Sequence, residues 1–489
     1  MTAEEPRLYG HWRAERGWGV GALGTGQTVI VFVAVLAPVL IASFAPRAAL
    51  ALALVSVIVV VGVTVRVNGS TAVEAMTRRF RFSSARAKGW TELSGGLITE
   101  HPRMHDLPGV MAPLVALDTE DGRGGRQCLV LDRSTGTLSA VLRSAPAGLD
   151  LADRASADEW VACWGAWLAD LGHRPVIRHI AVTVDTAPGG LADTDYLRAR
   201  MSPDAPPLAR DMMTELIELT PTTSAQTDCR VTITLDPNRA APRPRDLLAS
   251  VAEVTRWLPG LEAGLSACGV AVLGRESVSG LTARVRSAFD PVAREAIARQ
   301  GEQQQLRQWA QAAPVAAQEL WDCYQHDSGL SVSWALREAP RQAVSSRVLV
   351  PLLAPGPYPR RVSLLYQPYP ADQAAARVES EINAGQIRQA WSQRTRRDET
   401  QRERDDRERA MQAAREEAEG AGVGRLTVYV TTTVTDPEEL PAAVADVEQR
   451  AGAAKLRLRR MWGAQSTGFA AGLGVGLNPN ELATRGRGR

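Results

Sequence analysis

The sequence predicts an α+β protein: an N-terminal two-helix transmembrane hairpin followed by cytoplasmic ferredoxin-like β-α-β layers with a long charged helix. Three observations carry this expectation. Two apolar runs, 28–44 and 48–65, contain no charge and are separated only by Ala45, Pro46 and Arg47. Further on, short stretches of period-two alternation are interleaved with stretches of helical period. Between residues 388 and 419 there are nine arginines and nine acids, with almost no apolar residue to bury.

The apolar runs come first. They hold 17 and 18 residues, and at about 1.5 Å rise per residue each covers most of a hydrocarbon core of roughly 30 Å. The Pro46-Arg47 turn leaves room only for an antiparallel hairpin, placed at 27–65. Pro38 should kink the first helix, which a membrane helix tolerates. A cleaved signal peptide is disfavoured by the long segment before the first run and by the second run that follows at once. Arg7, Arg13 and Arg16 precede the pair, Arg66, Arg78, Arg79, Arg81, Arg86 and Lys88 follow it, and Arg47 alone lies between. The positive-inside bias therefore places both ends in the cytoplasm, at the inner (cytoplasmic) membrane, with Trp12 and Trp18 available at the interface.

The rest of the 489 residues suffices for two or three domains. The expected division is a cytoplasmic arm (1–26), the hairpin (27–65), a juxtamembrane linker (66–126), an α+β domain (127–345), a second α+β subdomain (346–476) and a basic tail (477–489). A net charge of +2 does not by itself suggest a nucleic-acid surface. The five cysteines stand singly with no C-x-x-C pair, so no local zinc or redox motif can be built, and their scatter suits a reducing compartment.

Within the soluble part, 127–133 and 137–143 read as strands joined by the turn Ser134-Thr135-Gly136. Trp160, Trp164, Trp167, Leu168 and Leu171 fall on one face of a helix over 158–171, and core packing is the reading for its tryptophans. The stretch 176–185 alternates Ile180, Val182 and Val184 as a half-buried strand, and 230–235 repeats the pattern with Val231, Ile233 and Leu235. A Pro-interrupted helix lies between them over 193–219. Helices are expected at 245–265 and 279–289, with a strand at 269–273. Residues 290–345 are too irregular to assign. Segments 348–353 and 361–366 flank Pro355-Gly356-Pro357-Tyr358-Pro359 as a hairpin candidate. The charged segment 388–419 lacks apolar a and d positions, so it reads as a solvated projecting helix supported by pairs such as Asp398/Arg402. A strand over 426–434, a helix over 438–450 and a strand over 455–460 then echo the earlier β-α-β unit.

Lys88 and Lys455 are the only lysines, and neither precedes Ser or Thr as a Walker A loop requires. The segment 21–28 has the glycine spacing, but Gln27 stands where the lysine belongs. Gly472, Gly474 and Gly476 lack the preceding strand of a dinucleotide site. His101 and His105 have a metal-pair spacing beside Asp106, but Pro102 argues for a loop. His11, His173, His179 and His326 stand alone. The expectation is no enzyme, no catalytic, cofactor-binding or metal residues, and no cofactor.

Several segments carry a resemblance: Tyr9-Gly10-His11-Trp12, Glu100-His101-Pro102-Arg103, Leu107-Pro108-Gly109, Asp121-Gly122-Arg123-Gly124-Gly125-Arg126, Trp164-Gly165-Ala166-Trp167, Val182-Thr183-Val184-Asp185-Thr186 and Phe289-Asp290-Pro291. In this order they resemble a family of actinobacterial conjugation proteins, integral membrane proteins encoded with mobile-element transfer genes. The architecture resembles a PrgI-like hairpin subunit fused to the N-terminal, non-motor half of the CagE/TrbE/VirB class of type IV secretion ATPases, most clearly from Pro359 to Tyr366 and from 463 to 476. The resemblance implies an inner-membrane scaffold of a type IV secretion-like conjugative apparatus for DNA transfer. Its expected partners are a separate secretion ATPase, other membrane subunits and the lipid bilayer; self-association is compatible with it, and direct nucleic-acid contact is left open. The alternative is a membrane-anchored structural subunit of a type VII-like secretion machine.

Overall fold

The computed structural model describes residues 9, 25–67, 70–94, 106–148, 152–188, 198, 200–223, 225–302, 307–340, 342–370, 373–374, 411–412 and 422–485. Of the charged segment 388–419, only Met411 and Gln412 lie within the described residues. The protein is mixed α/β, built on one large antiparallel sheet.

Helices α1 (Thr25–Ala42) and α2 (Pro46–Thr64) contact each other along their length. Pro46 starts α2 where a missing N–H costs nothing. By length and composition one helix, α2, is long and apolar enough to cross a membrane, with mean hydropathy 2.3; Gly26–Ala42 is a shorter apolar helix. A small ladder of β1 (Arg66–Val67) and β2 (Ser70–Thr71) leads into α3 (Ala72–Ala87). Thr71 and Glu74 close a reciprocal capping box at its start, fixing a helix inside the region expected to be linker.

Thirteen strands form the sheet. They are β3 (Glu92–Ser94), β4 (Leu114–Glu120), β5 (Arg126–Asp132), β6 (Thr137–Pro146), β7 (Ile177–Pro188), β8 (Ala225–Leu235), β9 (Val270–Arg275), β10 (Ala316–Glu319), β11 (Tyr324–His326), β12 (Gly329–Glu338), β13 (Arg360–Pro368), β14 (Gly424–Val434) and β15 (Arg457–Arg460). Their order is β3-β10-β11-β12-β14-β13-β7-β8-β6-β5-β4, with β15 also on β12 and β9 also on β6. Outward from the β7/β13 junction the two sides mirror each other: β8, β6, β5, β4 against β14, β12, β11, β10. Register repeats as well. Val182 faces Val231, Val231 faces Leu142 and Leu142 faces Arg275; Val362 faces Val430, Val430 faces Trp334 and Trp334 faces Arg460. One residue further on, Thr183 and Ser363 are equivalent and face each other across the junction. The fold is therefore an internal duplication whose dyad passes through that pair, and residues on both sides of 345 contribute to one sheet.

The helices are α4 (Arg154–Gly172), α5 (Pro207–Thr223), α6 (Leu247–Ala267), α7 (Val278–Phe289), α8 (Arg294–Glu302), α9 (Val350–Leu353), α10 (Leu440–Ala453), α11 (Gln465–Gly472) and α12 (Pro479–Arg485). One sheet face carries two apolar cores. Leu142, Ile180, Val231 and Ile233 pack with Trp167 of α4 and with Leu258 and Leu261 of α6; Val332, Trp334, Val362 and Val430 pack with Leu352 of α9 and Val447 of α10. The expected hairpin over 348–366 does not form. Its first arm folds as the short helix α9, where Pro351 removes a ladder donor but fits a first helical turn.

The opposite face was expected to be solvated, and it is not. Ser139, Thr183, Thr232, Thr234, Ser333, Ser363 and Thr431 are all buried there. Their hydroxyls pair within the belt: Ser139 with Thr234 at 2.9 Å, Thr183 with Ser363 at 3.2 Å, Ser333 with Thr431 at 2.9 Å. Residues 465–478 cross this belt as a strap. Gln465 Oε1 accepts from the Ser333 N–H at 2.7 Å, and Thr232 Oγ1 donates to the Gly474 carbonyl at 2.6 Å. Gly474 and Gly476 lie in the left-handed region, φ 68° and 83°. A Cβ at Gly476 would also collide with Ser139, so glycine is required there by both backbone and space. Phe469 and Leu473 of the strap pack with Phe289 and Leu281 of α7 and with Val141.

Candidate functional site

The residues weighed for chemistry in the sequence are dispersed. Lys88 caps the end of α3 with its ammonium 4.6 Å from the Trp90 ring centroid. Lys455 sits at φ 57° in the turn from α10 to β15. His101 and His105 lie outside the described residues, and Asp106 meets Arg133 at 3.4 Å. His173 ends α4. Gly472, Gly474 and Gly476 belong to the strap. All five cysteines are free, and burial pushes the Cys128 thiol up to about 12. Among the described residues, no group of three His, Cys, Asp or Glu could hold a metal ion.

What the fold does assemble is a charged cluster next to the dyad. On the belt face, Arg361 of β13 stands opposite Asp185 of β7, and Asp185 stands opposite Asp228 of β8. In the adjoining rung Thr183 faces Arg230, and Arg230 faces Arg143 of β6. Arg361 Nε donates to Asp185 Oδ2 at 3.1 Å, while Arg230 Nη2 and Arg294 Nη2 approach the same carboxylate at 3.7 and 4.0 Å. From α7, Arg284 reaches Glu276 at 2.7 Å and also contacts Asp228. Burial alone would raise the Asp185 pKa, but the guanidiniums of Arg361, Arg294 and Arg230 outweigh it and hold it at about 2. Glu276, burial prevailing over Arg143 and Arg230, is shifted up. Burial drives Arg284 down to about 10 and lowers Arg230 and Arg361.

Two further polar groups flank the strap. His326 is fully buried; its Nδ1 lies 2.7 Å from the Phe289 carbonyl, so it carries the proton, and Nε2 accepts from Ser331 at 2.8 Å. Burial holds its pKa down at about 4. At the other end, Arg178 donates to Glu481 of α12 at 2.8 Å, with His179 Nδ1 3.8 Å from the same carboxylate. Burial would raise Glu481, but His179 and Arg178 bring it to about 2.

An open cleft of about 360 Å³ lies between α6, β9 and the β4–β5 turn. Arg275 forms its floor, donating to Glu262 Oε1 at 2.5 Å and to Gln127 Oε1 and the Asp121 carbonyl, both at 2.9 Å. Arg123 closes on Glu262 from outside at 3.1 Å. Its charges are matched one for one, which suits a structural clamp on the turn.

Sequence reasoning named His179 and His326 only as lone histidines, and Asp121, Arg123, Asp185 and Arg361 only within segments that carry the resemblance; it brought none of them together as a site. Asp185 was read at the end of an alternating strand and Arg361 at the start of a hairpin arm, and their adjacency depends on a β7/β13 pairing across 176 residues that no local pattern encodes. No family model matches the chain, and no curated protein matches it.

Proposed function

We propose that the protein is a membrane-anchored scaffold whose folded body docks a separately encoded ATPase in a type IV secretion-like transfer apparatus. The observation that carries the anchor is the apolar surface of α1 and α2: Phe32 and Val39 are each 67% exposed and Leu50 77%, on helices without a charged residue except Arg47. Soluble monomers rarely expose a contiguous apolar surface of this kind, and larger ones mark a membrane or partner contact. In this reading both helices span the inner membrane as a hairpin, the shorter apolar length of α1 being accommodated by local thinning of the bilayer, with both ends cytoplasmic.

The body is read as two ferredoxin-like layers fused edge to edge. Support comes from the succession β6-α4-β7-β8-α6-β9 in one half, with α5 inserted between β7 and β8, and β12-α9-β13-β14-α10-β15 in the other, with α4 and α6, and α9 and α10, packed on one sheet face. The docking role rests on the resemblance of these segments, in order, to the non-motor half of secretion ATPases. Purification of the full chain from crosslinked membranes tests it. An ATPase bearing a Walker lysine should be retained, and removal of residues 388–419 should reduce its recovery if that segment is the docking arm. Nucleotide hydrolysis by the purified chain alone would overturn the scaffold reading.

A further inference from the structure

We infer that the charged cluster beside the dyad is a binding site for a doubly charged oxyanion, phosphate in chemical class, held by Arg230, Arg361, Arg284, Arg294 and Arg143. Among the described residues these five guanidiniums face three carboxylates, Asp185, Asp228 and Glu276, leaving two positive charges unmatched. Arg230 and Arg361 are more than nine-tenths buried, where unmatched charge is costly. Like charges are also set directly opposite each other, Arg143 against Arg230 on neighbouring strands, an arrangement that opposes pairing. Arg361 Nη1 is buried with no hydrogen-bond partner although Nε of the same group is engaged.

The cluster opens to solvent on one side. Arg143 is exposed, and the side chains of Arg284 and Arg294 are 23% and 31% exposed. A tetrahedral oxyanion entering there offers several acceptors to planar donors that approach from β6, β8, β13, α7 and α8, and its two charges cancel the surplus. A monocarboxylate would leave one charge over. Free phosphate and the phosphate end of a small monoester share this chemistry.

The test uses the full chain in detergent, freed of phosphate. Thermal unfolding is followed while sodium phosphate is titrated against sodium chloride of equal ionic strength, with adenosine 5′-monophosphate as a second arm. Phosphate should raise the midpoint saturably where chloride does not. A matching response to the nucleotide assigns the site to monoesters, and its absence assigns it to the free ion. The Arg284→Gln/Arg294→Gln variant should bind phosphate at least tenfold more weakly by equilibrium dialysis. Arg143→Gln, at an exposed position, should raise the midpoint in phosphate-free buffer, because it relieves the opposition to Arg230. Equal shifts with phosphate and chloride, or unchanged affinity in both variants, would overturn the assignment.

Discussion

Asp185 is held at about 2 by the arginines around it, and Glu481 at about 2 by His179 and Arg178. Both carboxyls titrate lower in the folded chain than in the unfolded one, whose values are 3.8 and 4.5. The stability they confer is complete above pH 4.5 and is lost as pH falls toward 2. His326 adds to the loss in a higher window. Its folded value of about 4 lies below 6.5, so protonation is favoured in the unfolded chain, and stability declines from pH 6.5 to 4. Each group is worth on the order of 2 kcal/mol. Denaturant unfolding at pH 7, 5 and 3 should show a stepwise fall, and His326→Gln should flatten the step between 7 and 5. A flat profile in the unaltered chain would contradict these assignments. Gly476→Val introduces both a left-handed β-branched residue and a clash with Ser139, and should cost about 2–4 kcal/mol by the same measurement.

Among the elements, α3 joins the apolar helices to the sheet. Phe82 meets the Trp321 ring edge-on at 5.4 Å, Arg79 lies over the same ring at 4.6 Å, and β3, just beyond α3, pairs with β10. Thr71→Ala should remove the capping box at a cost of about 1 kcal/mol, read as faster amide exchange in the first turn of α3. The strap is the other joining element, since it touches Ser333, Thr431, Arg361, Thr183, Thr232 and Ser139 on six strands in succession. For α1 and α2, single cysteines at Arg47 and at Lys88, in a variant otherwise free of cysteine, should be labelled from opposite sides of sealed inverted vesicles. Labelling of both from one side would contradict a hairpin that spans.

Across the whole molecule, helices such as α4, α6, α7 and α10 and the apolar face of the sheet were legible in the sequence because their signals are local, whereas α3 was read as linker and α9 as a hairpin arm. The tryptophans of α4 and the alternation of Ile180 and Val182, or Val231 and Ile233, follow directly from burial on one side. The belt face was not legible. Alternating Ser and Thr look the same whether they meet water or a strap of glycines from almost 300 residues away, as Gly474 does to Thr183. The echo between the two β-α-β units was visible, but not the dyad, since equivalent positions such as Arg275 and Arg460 sit in segments of different length. Residues 290–345 escaped assignment because β10 and β11 are four and three residues long and owe their conformation to pairing. The cluster around Asp185 exists only once all of these strands are in register.

The role proposed for the duplicated sheet and its two apolar helices is that of a platform, and recruitment is the most direct test of that proposal. Purified full-length chain is reconstituted into vesicles, the candidate ATPase is added, and the vesicles are sedimented. The account predicts that the ATPase sediments with vesicles carrying the chain and not with bare vesicles, and that those vesicles hydrolyse ATP only after it is added. Equal sedimentation with bare vesicles, or hydrolysis before the ATPase is present, would contradict it.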